Sequence, residues 1–373
     1  MGISSALGSS ALLPAGLGFR NVIINGNVAI DQRNAGASVT VNGTSNFYGP
    51  DRWQAFGQAS DGTFTLQRIS SSPTPPAGFT YALKVATGTA DTSIGATQNY
   101  GVIYKVEGLD AARFAWGTSG AKPAVLSFWV YGSKTGTYGG SFSNSAFDRS
   151  YPFTYTVNAI NTWEYKTVYV NGDTTGTWLT DTGIGIRIQF SVGAGSTQLG
   201  TAGAWGGARY DGATGQTNLI ATSDSLAFTG VQLEQNYQPT PFEQRPYGIE
   251  LALCQRYYYR ATLQNAYGPF NCLSQYVDST TTSNMMLQIP VPMRVSGSAN
   301  TSIDTSALST INILAMDAAT GTTPSALTIA GNNGTFGVTL QCNTASAFYT
   351  TTKSYMLRGN NSSTAYIGIS AEL

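Results

Sequence analysis

The sequence predicts an all-β protein: an N-terminal jelly-roll β-sandwich, one short linking helix and a smaller C-terminal β-sandwich. Three observations predict it. Short apolar runs recur throughout, broken by Gly, Asn, Asp and Thr, which is how antiparallel strands and their turns are punctuated. Glycine supplies 43 of 373 residues, while charged residues are only 10%, against a usual share of ~25%. A proline-punctuated stretch, Val231–Tyr259, divides two parts of different composition: all six tryptophans lie before residue 206 and all three cysteines after residue 253. The predicted organisation is a leader over 1–18, a jelly roll over 19–238, a Pro-rich linker with a helix over 239–260, and a second sandwich over 261–373.

Taken in order, the Gly/Ser/Ala-rich leader cannot bury enough surface to order itself, so a partner protein or sister chains are expected to hold it. Val22-Ile23-Ile24 reads as a short buried strand and Asn25-Gly26 as a turn, with Val28 and Ile30 alternating onward. Gly49-Pro50-Asp51 is a turn that delivers Arg52 and Trp53 into the next strand. Asp51-Arg52-Trp53 reads as an internal ion pair bracketing a core tryptophan.

Strands then follow at roughly 8–12-residue spacing. Phe64-Leu66-Arg68-Ser70, Tyr81-Leu83-Val85, Asn99 to Val106, Phe153-Tyr155-Val157 and Trp163 to Val170 each alternate. Val125 to Tyr131 is apolar on both faces and predicts a central strand. Ile184-Ile186-Ile188-Phe190-Val192 is the clearest alternation in the chain, and Leu226, Phe228, Val231 and Leu233 close the sandwich.

Pro246 precedes a run of helix formers with apolar residues at helical spacing (Ile249, Leu253, Tyr257), which predicts a helix over Tyr247–Tyr259. Gln238 to Arg245 is expected to bridge the two domains, and Tyr257-Tyr258-Tyr259 to pack at their junction. In the C-terminal part, Leu287, Ile289, Val291 and Met293 alternate against Pro290 and Pro292, which predicts an edge strand. Ile311-Ile313, Leu327-Ile329, Phe336-Val338-Leu340 and Tyr366-Ile367-Ile369 supply further strands.

Composition excludes several function classes. Nineteen basic residues balance nineteen acidic ones, and no basic block tracks phosphates, so nucleic-acid binding is not expected. No window of eighteen apolar residues exists, so no helical membrane insertion is expected. The absence of histidine removes Ser-His-Asp and Cys-His catalysis and His-ligated metals. Cys254, Cys272 and Cys342 fit no metal spacing and leave at least one free thiol, which suits synthesis in a reducing cytosol. No cofactor is expected. Loop carboxylates and carbonyls could hold a structural calcium, but no D-x-D-x-D pattern selects them.

Two passages resemble a known family. RNVIINGNVAIDQRNAG leading to GPDRW (Phe19 to Trp53) and GVQLEQNYQPTPFEQRPYGIELALCQRYYYR with the later IPVPMR are similar to receptor-binding and minor structural proteins of tailed bacteriophages. The resemblance spans about residues 19–294 and keeps the order of the motifs. It implies a carbohydrate-binding-like jelly roll followed by a compact β domain, a homotrimer, a place in the virion after synthesis in the bacterial cytoplasm, leader contacts with other virion proteins, and contact with a host surface glycan. A tail fibre or appendage is the expected role. A head decoration or baseplate accessory protein, and a tailspike-type glycosidase, are the alternatives.

Sugar recognition needs aromatic platforms for C–H faces and amides or carboxylates for hydroxyls. Loops rich in these lie at Tyr138–Tyr151, Thr174–Asp181 and Thr201–Asp211. They nominate Trp178 and Trp205 as exposed platforms, with Tyr138, Asp148, Tyr210 and Asp211 beside them. The plain alternative is that the two tryptophans fill the ends of the sandwich or a subunit interface. Hydrolysis would need two opposed carboxylates roughly 5–10 Å apart. Asp148, Glu164, Asp173, Asp181 and Asp211 are available, but no motif selects two of them, so no enzyme activity is expected.

Overall fold

A computed structural model describes residues 19–263, 265–295, 301–317, 321–330 and 337–373. The leader and Phe336 lie outside the described residues. The chain is all-β, as expected. Its first part contains β1 (Val39–Tyr48), β2 (Trp53–Ile69), β3 (Ala82–Thr87), β4 (Asn99–Glu107), β5 (Ala124–Gly132), β6 (Gly136–Ser143), β7 (Ser150–Val157), β8 (Trp163–Val170), β9 (Ile184–Ala194) and β10 (Ser225–Glu234). Their hydrogen-bonded order is β7-β6-β9-β4-β2-β3-β10-β5-β8, with β1 alongside β2.

The long strand β2 turns this ribbon into two layers. Trp53–Gln58 pairs with β4 and Phe64–Ile69 with β3, so β2 runs through the corner between them. From β4 onward the chain alternates between layers, apart from the β6–β7 hairpin, which is jelly-roll connectivity. Rings meet across the gap: Phe128 on β5 lies 5.1 Å from Phe190 on β9, and Phe190 lies 4.8 Å from Phe228 on β10. Alternation decides which side chains fill this space. On β9, Ile186, Ile188, Phe190 and Val192 belong to the core, while Arg187, Gln189 and Ser191 take the opposite face.

The hydrophobic Val22–Ile24 segment is buried as expected but does not form a strand. Val22 N donates to Leu233 O (3.0 Å), and the donors after it are answered by side chains. Ile23 N donates to Asn21 Oδ1 (2.9 Å), Ile24 N to Tyr104 Oη (2.7 Å), and Asn25 N to Glu250.

The predicted helix is shorter than expected: α1 spans Tyr247–Gln255. The tyrosines after it enter β11 (Tyr258–Thr262), followed by β12 (Pro269–Ser279), β13 (Thr282–Gln288), β14 (Ser302–Thr305), β15 (Ile311–Ala315), β16 (Ala326–Ile329), β17 (Gly337–Asn343), β18 (Tyr355–Gly359) and β19 (Tyr366–Ser370). One sheet runs β15-β18-β12-β13-β17-β16 and a second runs β11-β19-β14. Leu287, Leu340 and Ile313 of the first share one core with Ile367 and Ile369 of the second. The expected edge strand around Pro290 and Pro292 does not exist. Thr282–Gln288 is a central strand between β12 and β17, and it stops before the prolines because they have no N–H to give a ladder.

Cations build the contact between the two sandwiches. Arg52 pairs with Glu372, not with the neighbouring Asp51, and its guanidinium lies 3.5 Å from the Tyr257 ring centroid. Tyr257 Oη donates to Glu107 (2.6 Å), which Arg256 also holds (2.7 Å). Arg33 stacks on Tyr258 at 3.6 Å, and Arg260 donates to Gln32 O (2.9 Å). Tyr257 and Tyr258 are therefore junction residues, as expected. Gln238–Arg245 does something other than bridge the domains. Glu243 accepts from Arg20 N (2.7 Å) and Asn21 N (3.0 Å), and Arg245 reaches Glu250 (3.4 Å), so this segment fastens residues 20–25 to α1.

Asp51 is fully buried and accepts from Gln32 N (2.8 Å). Burial pushes its carboxyl up to about 6, opposed by the Gln32 hydrogen bonds and by Arg33, with Glu372 adding to the rise. A raised acid binds its proton more tightly in the folded chain. Its stabilising contribution is therefore complete below the unfolded value and is lost as pH rises through about 6. Relative to Asp51→Asn, the parent should gain stability as pH falls from about 7 to about 4. Urea titrations at several pH values, followed by tryptophan fluorescence, check this.

Candidate functional site

The expected site residues do not assemble into one site. Tyr138 is a core residue of β6, with no exposed surface and its hydroxyl on Lys134 O (2.8 Å). The glycines that make its segment look like a loop belong to the strand. A Cβ at Gly140 would sit 2.3 Å from Gln189 O and 2.4 Å from the Phe153 ring, so only glycine permits this close packing. Asp211 is also buried (1% exposed), gripped by Arg209 (2.9 Å) and Asn99. Burial holds its carboxyl above the usual range, against the pull of Arg209. Tyr210 is half-buried, and its ring lies over Gly200 and Gly206.

Trp178 and Trp205 do come together, around Trp116. The three ring centroids lie 4.9–5.4 Å apart in edge-to-face pairs. Their indole nitrogens are occupied: Trp178 Nε1 donates to Thr175 O (3.2 Å) and Trp205 Nε1 to Asn171 O (2.8 Å). Both rings are half-buried against the sandwich core. Arg149 closes the cluster with a two-point pair to Asp173 (2.7 and 2.8 Å). Asp148 is exposed and accepts from Asn144 Nδ2 (2.5 Å), which also donates to Thr177 O (3.0 Å).

A second feature was not foreseen. An open cleft of about 600 Å³ lies on the outward face of the β6-β9-β4-β2-β1 layer. Strand register sets its floor. Gln54, Ile103, Gln189 and Ser141 form one row across β2, β4, β9 and β6. Lys105, Arg187 and Ser143 form the next. On the other side, Asn46 and Phe56 are paired on β1 and β2. Phe56 faces Gly101, where a Cβ would meet Phe190 O at 2.3 Å and the Phe56 ring at 3.2 Å, so glycine leaves room for the ring.

The loop after β6 supplies a wall. Phe147 adopts φ 58°, a left-handed conformation that is costly for a bulky side chain. Its ring is held between two guanidinium groups, Arg187 at 3.9 Å and Arg209 at 4.4 Å from the centroid. Arg187 Nη1 also donates to Asn144 O (2.6 Å) and Ser145 O (2.7 Å), fixing the loop. Burial and the neighbouring Arg209 hold Arg187 down to about 10, and burial with Arg187 holds Lys105 down to about 8.

The cleft therefore offers two phenyl rings, amides from Gln54, Gln58 and Gln189, and three cations. Its outward residues were partly legible: parity on β9 puts Arg187 and Gln189 opposite the core. What the sequence lacked was the register that lines up four strands and the Phe147 loop.

No family model and no curated protein matches this chain. Among solved structures it is similar to the enzymatically active domain of tailspike protein 4 from bacteriophage CBA120 (9% identity, 58% of this chain, 22% of that one, TM-score 0.31). It is also similar to TmCBM61 in complex with β-1,4-galactotriose (11%, 58% and 100%, TM-score 0.30) and to a family 11 carbohydrate-binding module from Clostridium thermocellum (10%, 55% and 99%, TM-score 0.28). Overlaps this loose do not bear on the ligand.

Proposed function

We propose that this chain is a glycan-binding protein of a tailed-phage particle, a trimeric tail fibre or appendage that holds a host surface saccharide in the outward cleft. The observation that carries the reading is the cleft itself: two phenyl rings flank rows of amide and cationic side chains on a rigid sheet. Rings of this kind cover the C–H faces of a sugar, and amides answer its hydroxyls in both donor and acceptor directions. Phe147 strengthens the reading, because a bulky residue kept in a strained conformation points to a functional demand on its ring. The virion role and the trimer rest on the passages resembling phage receptor-binding proteins. Binding without turnover is favoured by the lining, where amides and cations stand in place of the opposed carboxylates that glycosidases use.

The full chain should bind members of an array of bacterial capsular, lipopolysaccharide and teichoic-acid glycans. Phe147→Gly removes the ring and relieves the left-handed strain of about 1–3 kcal/mol. It should abolish binding while leaving the chain at least as stable by urea denaturation. Unchanged binding would remove the cleft from the account. Light scattering should give a particle of three times the 39.3 kDa chain.

A further inference from the structure

The floor of the cleft carries two adjacent cations. Lys105 and Arg187 are direct cross-strand partners on β4 and β9, where like charges repel. Among the described residues neither is paired with an Asp or Glu side chain. The nearest carboxylates are already taken: Glu372 by Arg52 and Arg33, Asp211 by Arg209. Lys105 Nζ donates to an oxygen of the α-carboxyl group of Leu373, the last residue of the sequence (2.5 Å), and Arg187 uses Nη1 for the carbonyls of Asn144 and Ser145.

The next row adds buried donors. Gln189 is 2% exposed and lines the cleft, with its side chain turned toward the Asp211 carboxylate, which it helps to hold down; the Ser141 hydroxyl opposite it, at 1% exposure, has no hydrogen-bond partner among the described residues. Buried polar groups without partners are uncommon and call for an explanation. Two adjacent cations without an Asp or Glu partner, beside a buried hydroxyl with none, describe an anion seat on one sheet face.

We propose that Arg187 and Lys105 bind the anionic substituent of an acidic saccharide, a sugar carboxylate or a phosphate ester, while Phe56 and Phe147 hold the adjoining ring. This rests on the glycan reading above and deepens it. The guanidinium gives paired N–H donors to a carboxylate or phosphate, and the ammonium acts as a point charge beside it. Arg209, already paired with Asp211, steers without a free contact. A bound anion also offsets the charge of Arg187, which adds to burial in holding Lys105 below its ordinary value.

The test uses the full chain on an array holding matched acidic and neutral bacterial glycans. The carboxylated and phosphorylated members form separate arms, so the result also tells which anion is taken. Acidic members should bind at least about tenfold better than neutral ones, and the preference should fade as salt is raised to about 0.5 M. Lys105→Gln and Arg187→Gln should each cost the acidic ligand about tenfold. Arg187 also ties down the Phe147 loop, so Lys105→Gln and the salt titration of the unaltered chain decide the matter if Arg187→Gln misfolds. Equal or better binding of neutral glycans, indifferent to salt, would overturn the anion seat and leave glycan binding standing. Binding of no glycan at all would overturn both.

Discussion

Arg52→Ala is expected to destabilise the chain by about 3–5 kcal/mol. Arg52 is 2% exposed and pairs with Glu372, whose side chain is 5% exposed. Its other contacts are the Lys105 carbonyl (2.5 Å) and the faces of Tyr104 and Tyr257. Removing one partner leaves the other charge buried, and that desolvation outweighs the value of the contact itself. Glu372→Gln should cost less, because Gln still accepts a hydrogen bond. Replacing both partners with apolar residues of similar volume should recover much of the loss. Urea denaturation followed through the tryptophans, all of which lie in the first sandwich, checks the effect there. A loss below about 1 kcal/mol, the range of surface pairs, would mean the pair is solvated.

Trp116→Ala is expected to cost about 3–5 kcal/mol. Trp116 is 5% exposed and touches Phe114, Phe142, Trp178 and Trp205. Its removal takes the central ring from the cluster and leaves a cavity that two edge-to-face partners cannot fill without giving up their main-chain hydrogen bonds. The near-ultraviolet circular dichroism of the chain should change with it. Glycan binding at the cleft should persist in the folded fraction. Loss of binding from a protein that remains folded would return Trp178 and Trp205 to the ligand-contacting role that the sequence suggested.

Alternation carried the fold. Strands such as Trp163–Val170 and Ile184–Ala194 have a parity that any sandwich must respect, and that parity already separated Arg187 and Gln189 from the core. Gly139 and Gly140 hid β6, because glycine in a strand reads as a turn until a neighbouring backbone is seen to need the space. The Arg52 partner could not be read locally, since Glu372 lies 320 residues away. The cleft was invisible for the same reason: it exists only once β1, β2, β4, β9 and β6 are in register.

The junction gives the resemblance a physical content. Asn25, Arg52, Glu250, Arg256, Tyr257 and Arg294 all fall in the passages similar to phage receptor-binding proteins, and all take part in fastening the two sandwiches or the segment beneath them. Arg294 spans the whole joint, donating to Thr182 O on one side and to Ala371 O (2.7 Å) on the other. These passages build the scaffold. The cleft residues Phe147, Arg187 and Gln189 lie outside those passages.

A crystal structure of the full chain with the best-binding glycan from the array tests the central claim most directly. The account predicts a sugar ring against Phe56 and Phe147 with its anionic group between Lys105 and Arg187. A saccharide seated on the Trp116–Trp178–Trp205 cluster, or at any place away from the outward face of β9 and β4, would contradict it.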